Sequence, residues 1–294
     1  MDVRLLGDVE IEAAGVTYTL GRTAERCVLA TLAFNPGRVV PLGTFVAHIW
    51  GEHPPPKAEE TVATYVRAVR RMIEQAGGGR EWLVNRRSDG YRLDIDPVLV
   101  DHRRFTDLAG TARVLARQRD DARAVETFER ALRLWRGEAL ANVAGQWAKT
   151  CRHGLRLDRL RVTYELLELL LRASAYGDVA TRAADLVREE PTERAIALAL
   201  RGLAGSGQRA LIPSFLARAA EQMREVNGSR PSADLVALAR RLAGEPEAAV
   251  AAPPEPAAGT VVMNVRNATN VYQASGDQYF SVIPPRGAPG AGRR

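Results

Sequence analysis

Lysine is almost absent from this chain of 294 residues. Lys57 and Lys149 are the only two lysines, which leaves 39 of the 41 cationic side chains as arginine. A high-GC genome produces such a bias without any functional meaning. The formal net charge of +6 is also too modest to indicate a nucleic-acid-binding protein by itself. Only the positions of the arginines along the chain can therefore indicate a nucleic-acid-binding surface.

Cysteine and long apolar runs are also scarce. Cys27 and Cys151 match no zinc or redox spacing, and two isolated cysteines are typical of buried apolar residues in a reducing compartment. The N-terminus lacks the basic region and apolar core of a signal peptide. No apolar run is long enough to span a membrane. We therefore expect a cytoplasmic, nucleoid-associated protein without a membrane partner.

Motifs of enzymes and metalloproteins are missing as well. The chain contains no G-x-x-x-x-G-K-[ST] sequence, which excludes a P-loop, and no nucleophile paired with a base. The four histidines are scattered without the spacing of metal ligands: His48, His53, His102 and His153. We expect a protein that is not an enzyme and that uses neither a cofactor nor a metal.

The first 98 residues show the order of elements of a winged helix-turn-helix preceded by a small sheet. Three β-branched runs predict an antiparallel meander, and an Asp-Gly turn between two further runs predicts a hairpin. Thr23 is expected to be the N-cap of the first helix. The predicted elements are the strands Val3–Leu6, Val9–Ile11 and Val16–Leu20, the helices Glu25–Phe34, Leu42–Trp50 and Lys57–Glu74, and the hairpin strands Trp82–Arg86 and Tyr91–Ile95.

The helix Lys57–Glu74 is strongly amphipathic. At 100° per residue, Val62, Val66 and Val69 fall in one sector, while Arg67 and Arg71 fall on the opposite side. In a winged helix this third helix enters the major groove of DNA, and the hairpin contacts the flanking backbone or the minor groove. The arrangement predicts a double-stranded DNA interface formed by Lys57, Glu60, Thr61, Thr64, Arg67, Arg70, Arg71, Arg86, Arg87, Tyr91 and Arg92.

An ordinary solvated helix face is the alternative explanation of these arginines. Residues 1–100 contain 12 Lys and Arg against 13 Asp and Glu, a net charge of −1, so this region is no indiscriminate electrostatic binder. The cations cluster in the third helix and the hairpin, where phosphates or guanine edges would require them. The combined order of elements favours DNA.

The same residues resemble the Streptomyces antibiotic regulatory protein (SARP) family of transcriptional activators. The similarity runs through residues 3–105 and includes LLGDVEIE, NPGRVV, the IWG end of the second helix, YVRAVRR and the GY of the hairpin. It implies an OmpR-type winged helix. Members of the family often have Ser-Arg where this chain has Arg67-Ala68, so the DNA sequence that is read is expected to differ.

Residues 101–245 predict an all-α domain whose helix pairs recur near the spacing of tetratricopeptide-like arrays. Its order, with LWRG at 134–137, resembles the bacterial transcriptional activation domain of the same family. The resemblance implies a homodimer and contact with RNA polymerase. The predicted helices are Asp101–Leu115, Asp121–Leu134, Trp147–Ala173, Tyr176–Glu190, Glu193–Ala204, Gln208–Val226 and Ser232–Leu242.

The C-terminal tail changes composition twice. Residues 246–258 form an Ala/Pro-rich linker, and residues 284–294 are expected to be disordered. Between them, residues 259–283 are β-prone, rich in Asn and Gln and nearly uncharged, as in segments that stack on copies of themselves. A disordered tail and a strand pair docked on the domain are the alternatives, and disorder is favoured for the isolated monomer. The self-assembly hypothesis concerns Asn270, Val271, Tyr272, Gln273, Ala274 and Gly276.

The sequence therefore predicts a mainly α protein, with a winged helix-turn-helix, a tetratricopeptide-like helical domain and a flexible β-prone tail. The first functional hypothesis is an activator of a biosynthetic or defence gene cluster. It would bind direct repeats in promoter DNA and recruit RNA polymerase through residues 51–57 and the helical domain. The alternative is an assembly or signalling adaptor whose tail drives homotypic or heterotypic association, with DNA binding secondary.

Overall fold

The computed structural model describes residues 1–86 and 90–244. Within these residues the strands are β1 Asp2–Arg4, β2 Glu10–Ala13, β3 Val16–Tyr18, β4 Val39–Val40, β5 Leu83–Asn85 and β6 Tyr91–Leu93. The helices are α1 Thr23–Ala33, α2 Leu42–Trp50, α3 Ala58–Gln75, α4 Asp101–Arg117, α5 Asp121–Leu132, α6 Gln146–Arg172, α7 Tyr176–Glu189, α8 Glu193–Gly205, α9 Ile212–Asn227 and α10 Ala233–Ala243. The predicted combination of a winged helix and an all-α domain is confirmed.

Two small antiparallel sheets frame the N-terminal helices. The first has the order β1-β2-β3, with Val3 opposite Ile11 and Ile11 opposite Tyr18. The second has the order β4-β6-β5, so the short strand after α1 pairs with the hairpin. Gly90 makes this pairing possible, because a Cβ there would lie only 2.0 Å from the carbonyl oxygen of Val40.

Helix α3 is held by its apolar face. Val62, Val66, Val69 and Ile73 are each at most 1% exposed and belong to the same core as residues of α1 and α2. The apolar period of the sequence therefore identified the buried face correctly, and it leaves the opposite face of α3 to solvent. Burial of four aliphatic side chains contributes roughly 1.5–3 kcal/mol for each side chain.

Helix α2 begins and ends as predicted, at Leu42 and Trp50. The expected N-cap of α1 is wrong by one residue, because Arg22 occupies the cap position and Thr23 is the first helical residue. The Thr23 hydroxyl instead accepts a hydrogen bond from the Ala144 N–H at 3.0 Å. The helix predicted from Gln208 is also wrong at its start, since a 3-10 turn at Arg209–Leu211 precedes α9, which begins at Ile212.

The C-terminal helices form the second core. Helices α7 and α8 are joined by a short connection and pack closely together. Gly202 allows this approach, because a Cβ there would lie 2.5 Å from the backbone nitrogen of Ala180. Leu167, Ile196 and Leu200 are fully buried nearby. None of the helices in the described ranges is both long enough and apolar enough to cross a lipid bilayer.

The winged helix and the helical domain share a continuous hydrogen-bonded seam. The Asp101 carboxylate, at the start of α4, is buried and accepts hydrogen bonds from the backbone N–H groups of Leu5 (2.8 Å) and Leu6 (3.0 Å). In return, the N–H groups of Arg136 and Leu140 donate to the carbonyls of Leu6 and Leu5 at 2.8 and 3.0 Å. The segment that directly follows β1 is therefore fixed to the helical domain.

Candidate nucleic-acid interface

The exposed face of α3 presents the predicted polar residues together. Glu60, Thr64, Arg67 and Arg71 are all exposed and follow one another at intervals of three or four residues. Residues three or four apart lie on one side of a helix, so these side chains form a single stripe. The stripe begins just after the exposed proline loop Pro54–Pro56 and runs toward the hairpin.

Arg67 is held in place by its own helix. Its Nη2 donates to the Thr64 hydroxyl at 3.0 Å, and its Nε donates to the Ala63 carbonyl at 3.3 Å. The guanidinium therefore lies back toward the N-terminal half of α3. Arg71 makes no such contact with any of the described residues. One of the two central arginines is thus pre-oriented, and the other is adaptable.

The first turn of α3 is less available than the sequence suggested. Thr61 is half-buried, and its hydroxyl donates to the Lys57 carbonyl at 2.9 Å. Lys57 and Glu60 are 78% and 76% exposed, and their charged groups lie 3.9 Å apart. An exposed pair of this kind is worth at most about 1 kcal/mol, so a ligand can separate it at little cost.

Arg70 connects the helix to the hairpin. Its side chain is half-buried, and its Nη2 donates to the Leu83 carbonyl at 2.8 Å. This bond joins the flank of α3 to the first strand of the hairpin, across 13 residues of sequence. Its other donors remain, but the geometry gives Arg70 a positioning role in addition to any contact with a ligand.

Arg80 belongs to the cluster of arginines in the third helix and the hairpin, but it was not among the residues predicted to contact DNA. It lies in the 3-10 turn Arg80–Trp82 that precedes the hairpin and is 86% exposed, with Glu74 3.9 Å away. Together with Thr64, Arg67, Arg70, Arg71 and Glu74 it lines one open groove of about 610 Å³. The turn brings Arg80 back beside the exposed face of α3, which helical periodicity alone could not reveal.

The structure of the hairpin supports only part of the DNA-contacting role that was predicted for it. Arg86 is exposed, and its backbone N–H donates to the Gly90 carbonyl at 2.9 Å. Arg92 is half-buried, and its Nη2 donates to Asp94 at 2.5 Å. The predicted place of Tyr91 in the DNA interface is corrected, because the residue is only 8% exposed. The centroid of its ring lies 6.1 Å from that of Phe45, in an edge-on arrangement. Its ring supports the core instead of lying on the surface.

The remaining predictions fall outside the described residues. Arg87, in the hairpin turn, belongs to residues 87–89, and the tail with its six self-assembly residues belongs to 245–294. The structure therefore brings together the α3 stripe and Arg80, which line one groove, and it leaves Arg86 exposed on the hairpin. The groove contains three exposed arginines, Arg67, Arg71 and Arg80, and one carboxylate, Glu74.

Helix α2, which precedes the loop 51–57, is attached to the helical domain. The His48 ring stacks on Trp147 of α6, with centroids 4.3 Å apart and an angle of 12° between the rings. The Thr31 hydroxyl lies 3.0 Å from His48 Nδ1. Burial lowers the pKa of His48 below its ordinary value, which favours the neutral ring in this contact.

Both halves of the chain match known protein families. Residues 18–93 match the family described as transcriptional regulatory protein, C terminal. Residues 100–243 match the family described as bacterial transcriptional activator domain. The two families are found in transcriptional regulators, which agrees with the prediction that the chain is not an enzyme.

Several curated proteins are similar to this chain. The regulatory protein AfsR of Streptomyces griseus is 28% identical over 239 residues, which is 81% of this chain and 24% of AfsR. The transcriptional regulator RedD of Streptomyces coelicolor is 30% identical over 219 residues, which is 71% of this chain and 61% of RedD. The regulatory protein DnrI of Streptomyces peucetius is 32% identical over 148 residues, covering 49% of this chain and 54% of DnrI. The chain thus spans about a quarter of AfsR and less than two thirds of the other two.

One solved structure shares the fold. EmbR of Mycobacterium tuberculosis, in complex with a low-affinity phosphopeptide, matches with a TM-score of 0.72 and 24% identity. The match covers 82% of this chain and 64% of that one. At this level of identity the similarity concerns the fold alone. The proteins that match are regulators, so they give no support to the alternative of an assembly adaptor.

Proposed function

Because the chain belongs to the SARP family of transcriptional regulators, we propose that it binds promoter DNA through α3 and activates a biosynthetic or defence gene cluster. The observation that carries the proposal is the exposed stripe of Thr64, Arg67 and Arg71 with Arg80 beside it. The opposite face of α3 is committed to the core, so this stripe is the cationic surface that the helix offers to a partner.

The dimensions of the stripe suit the major groove. Arg67 and Arg71 are separated by four residues, which is a rise of about 6 Å along the helix. This distance corresponds to roughly two base-pair steps, since the rise of B-DNA is about 3.4 Å per step. Arginine donates two parallel hydrogen bonds to guanine O6 and N7, and it also binds phosphate. Arg80 and Arg86, on the flank, are suited to phosphates.

A homodimer on direct repeats is the expected binding unit, with RNA polymerase contacted through residues 51–57 and the helical domain. The loop 51–57 is exposed throughout, between α2 and α3. It therefore remains accessible beside a bound recognition helix. The regional net charge of −1 argues that affinity depends on a few placed arginines and on dimerisation. We propose that the protein acts in the cytoplasm, at the nucleoid.

The test is a footprint of the protein on its own promoter region. Arg67→Ala and Arg71→Ala are expected to abolish the specific footprint, at a loss of about 1–3 kcal/mol for each base contact, while the circular dichroism spectrum stays unchanged. Arg188→Ala, which removes an exposed arginine from α7, is the matched control and should leave the footprint intact. Unaltered footprints from both α3 variants would refute the assignment.

A further inference from the structure

The last two helices leave a groove between them that no described helix fills. The groove has a volume of about 560 Å³ and is lined by α9, by α10 and by the connection between them. Both helices also pack against α8, but none of the lining residues comes from α8. The groove therefore opens on the side that the rest of the helical domain leaves uncovered.

The lining residues follow a helical spacing on both sides of the groove. Helix α9 contributes Pro213, Leu216 and Ala220, and α10 contributes Val236, Ala239 and Ala243. Each set repeats at intervals of three or four residues, which is one face of a helix. Two such faces side by side form a seat into which the ridge of a third helix fits. The alanines allow the backbone of that helix to approach closely.

The rim of this seat is cationic. Arg224, Arg230 and Arg240 line it, against a single carboxylate, Glu221. Glu221 already accepts a hydrogen bond from Arg224, so its charge is locally satisfied. Arg230 and Arg240 are exposed, and no carboxylate of the described ranges lies within 4.0 Å of either. A ligand with an apolar centre and negative flanks is complementary to such a surface.

We propose that the α9–α10 groove is the docking site for an acidic amphipathic helix of a partner protein. The apolar stripe of that helix occupies the Leu216–Ala239 seat, and its flanking carboxylates pair with Arg230 and Arg240. Two facing helical stripes favour a helix over a compact small molecule as the occupant. The site belongs to elements other than α3 and the hairpin, so it does not depend on the proposed DNA interface.

The probe is a fluorescein-labelled synthetic peptide of about 18 residues, helical, with leucine and alanine on one face and glutamate on both flanks. Fluorescence anisotropy with the full chain is expected to give saturable binding. Ala220→Arg, which fills the seat, and the double variant Arg230→Glu, Arg240→Glu should each weaken binding at least tenfold. Arg218→Glu removes an exposed arginine of α9 outside the groove and should bind as the unaltered chain does.

Exchanging the charges on the protein and the peptide is expected to restore binding. A peptide with lysine in place of glutamate should bind the double variant more tightly than it binds the unaltered chain. The proposal fails if the acidic peptide does not bind, if a scrambled peptide of the same composition binds equally well, or if the double variant and Arg218→Glu lose affinity to the same extent. It also fails if sedimentation shows that Ala220→Arg dissociates a dimer, because the groove is then occupied by a second copy.

Discussion

At the scale of single residues, the candidate interface depends on how one arginine is held. The Thr64 hydroxyl accepts from Arg67 Nη2 at 3.0 Å and is also within 3.4 Å of the Glu60 carbonyl. A side chain that is already oriented loses less conformational entropy when it binds. Thr64 is therefore a positioning residue, whose contribution passes through Arg67 even if it makes no contact with DNA itself.

Thr64→Val tests this role. The change keeps the shape of the side chain but removes the hydroxyl, so Arg67 loses its acceptor and its orientation. We expect DNA affinity to fall by roughly 0.5–1.5 kcal/mol, the worth of one hydrogen bond, with little change in thermal stability because the residue is exposed. Thr64→Ser retains the hydroxyl and should retain affinity. Equal binding by all three proteins would show that the Thr64 contact is incidental.

Individual residues also mark the limits of prediction from sequence. The alternation of side chains along a strand indicates which residues share a face of the sheet. It does not indicate which of the two faces packs against the core. The sequence places Tyr91 on the surface, and the structure buries it because Phe45 of α2 lies against it. Periodicity places Arg70 on a flank of its helix, but its bond to the Leu83 carbonyl depends on where the hairpin returns. Both outcomes are set by partners distant in the sequence.

At the scale of elements, prediction from the sequence succeeds best where local signals agree. Helix α2 begins directly after Pro41 and ends directly before Gly51, and both bounds were predicted. The predicted helix Lys57–Glu74 differs from α3 by only one residue at each end. The bounds are this accurate because proline and glycine flank a strong apolar period. Thr23 failed as a cap because Ala144, more than a hundred residues away, competes for its hydroxyl. Local chemistry alone could not reveal this competition.

The pairing of β4 with β6 depends on a single residue, Gly90. Its φ is +126°, and a Cβ at this position would lie 2.0 Å from the Val40 carbonyl oxygen, so both the backbone and the space exclude a side chain. We expect Gly90→Ala to destabilise the fold by about 1–3 kcal/mol and to loosen the β4–β6 pairing. Gly43→Ala, at a helical site with nothing within 4 Å, is the matched control and should be neutral or slightly stabilising. Chemical denaturation of both variants measures the difference, and equal midpoints would contradict the argument.

At the scale of the whole molecule, the two parts that the sequence separates near residue 100 are physically continuous. Asp101 was predicted only as the start of a helix, yet its buried carboxylate holds the N–H groups of Leu5 and Leu6. Burial raises the pKa of Asp101, while these N–H groups and the nearby Arg136 act in the opposite direction. The helical domain is therefore joined by direct contacts both to the segment that follows β1 and, through the stacking of His48 on Trp147, to α2.

Two half-buried histidines lie between the winged helix and the helical domain, and the shifts of their pKa values predict a stability that depends on pH. Burial lowers the pKa of His48 and of His102, and Arg103 lowers the pKa of His102 further, whereas Asp158 opposes the shift. The unfolded chain, with pKa values near 6.5, therefore takes up protons before the folded chain does. Stability is complete above that pH and is lost as the pH falls toward the lower pKa values of the folded state. We expect a lower free energy of unfolding at about pH 5.5 than at about pH 7.5.

Each of the two histidines packs against an aromatic ring, and both can be replaced by a side chain that does not titrate. His48 stacks on Trp147, and His102 lies edge-on to Phe34 at 5.2 Å with no hydrogen-bond partner for its Nδ1 in the described ranges. Replacing both by glutamine removes the titrating groups, so the double variant should lose most of the pH dependence while being less stable at every pH. His53→Gln changes an exposed histidine outside the seam and should keep the full dependence. If the double variant retains the full pH dependence, these two histidines do not account for it.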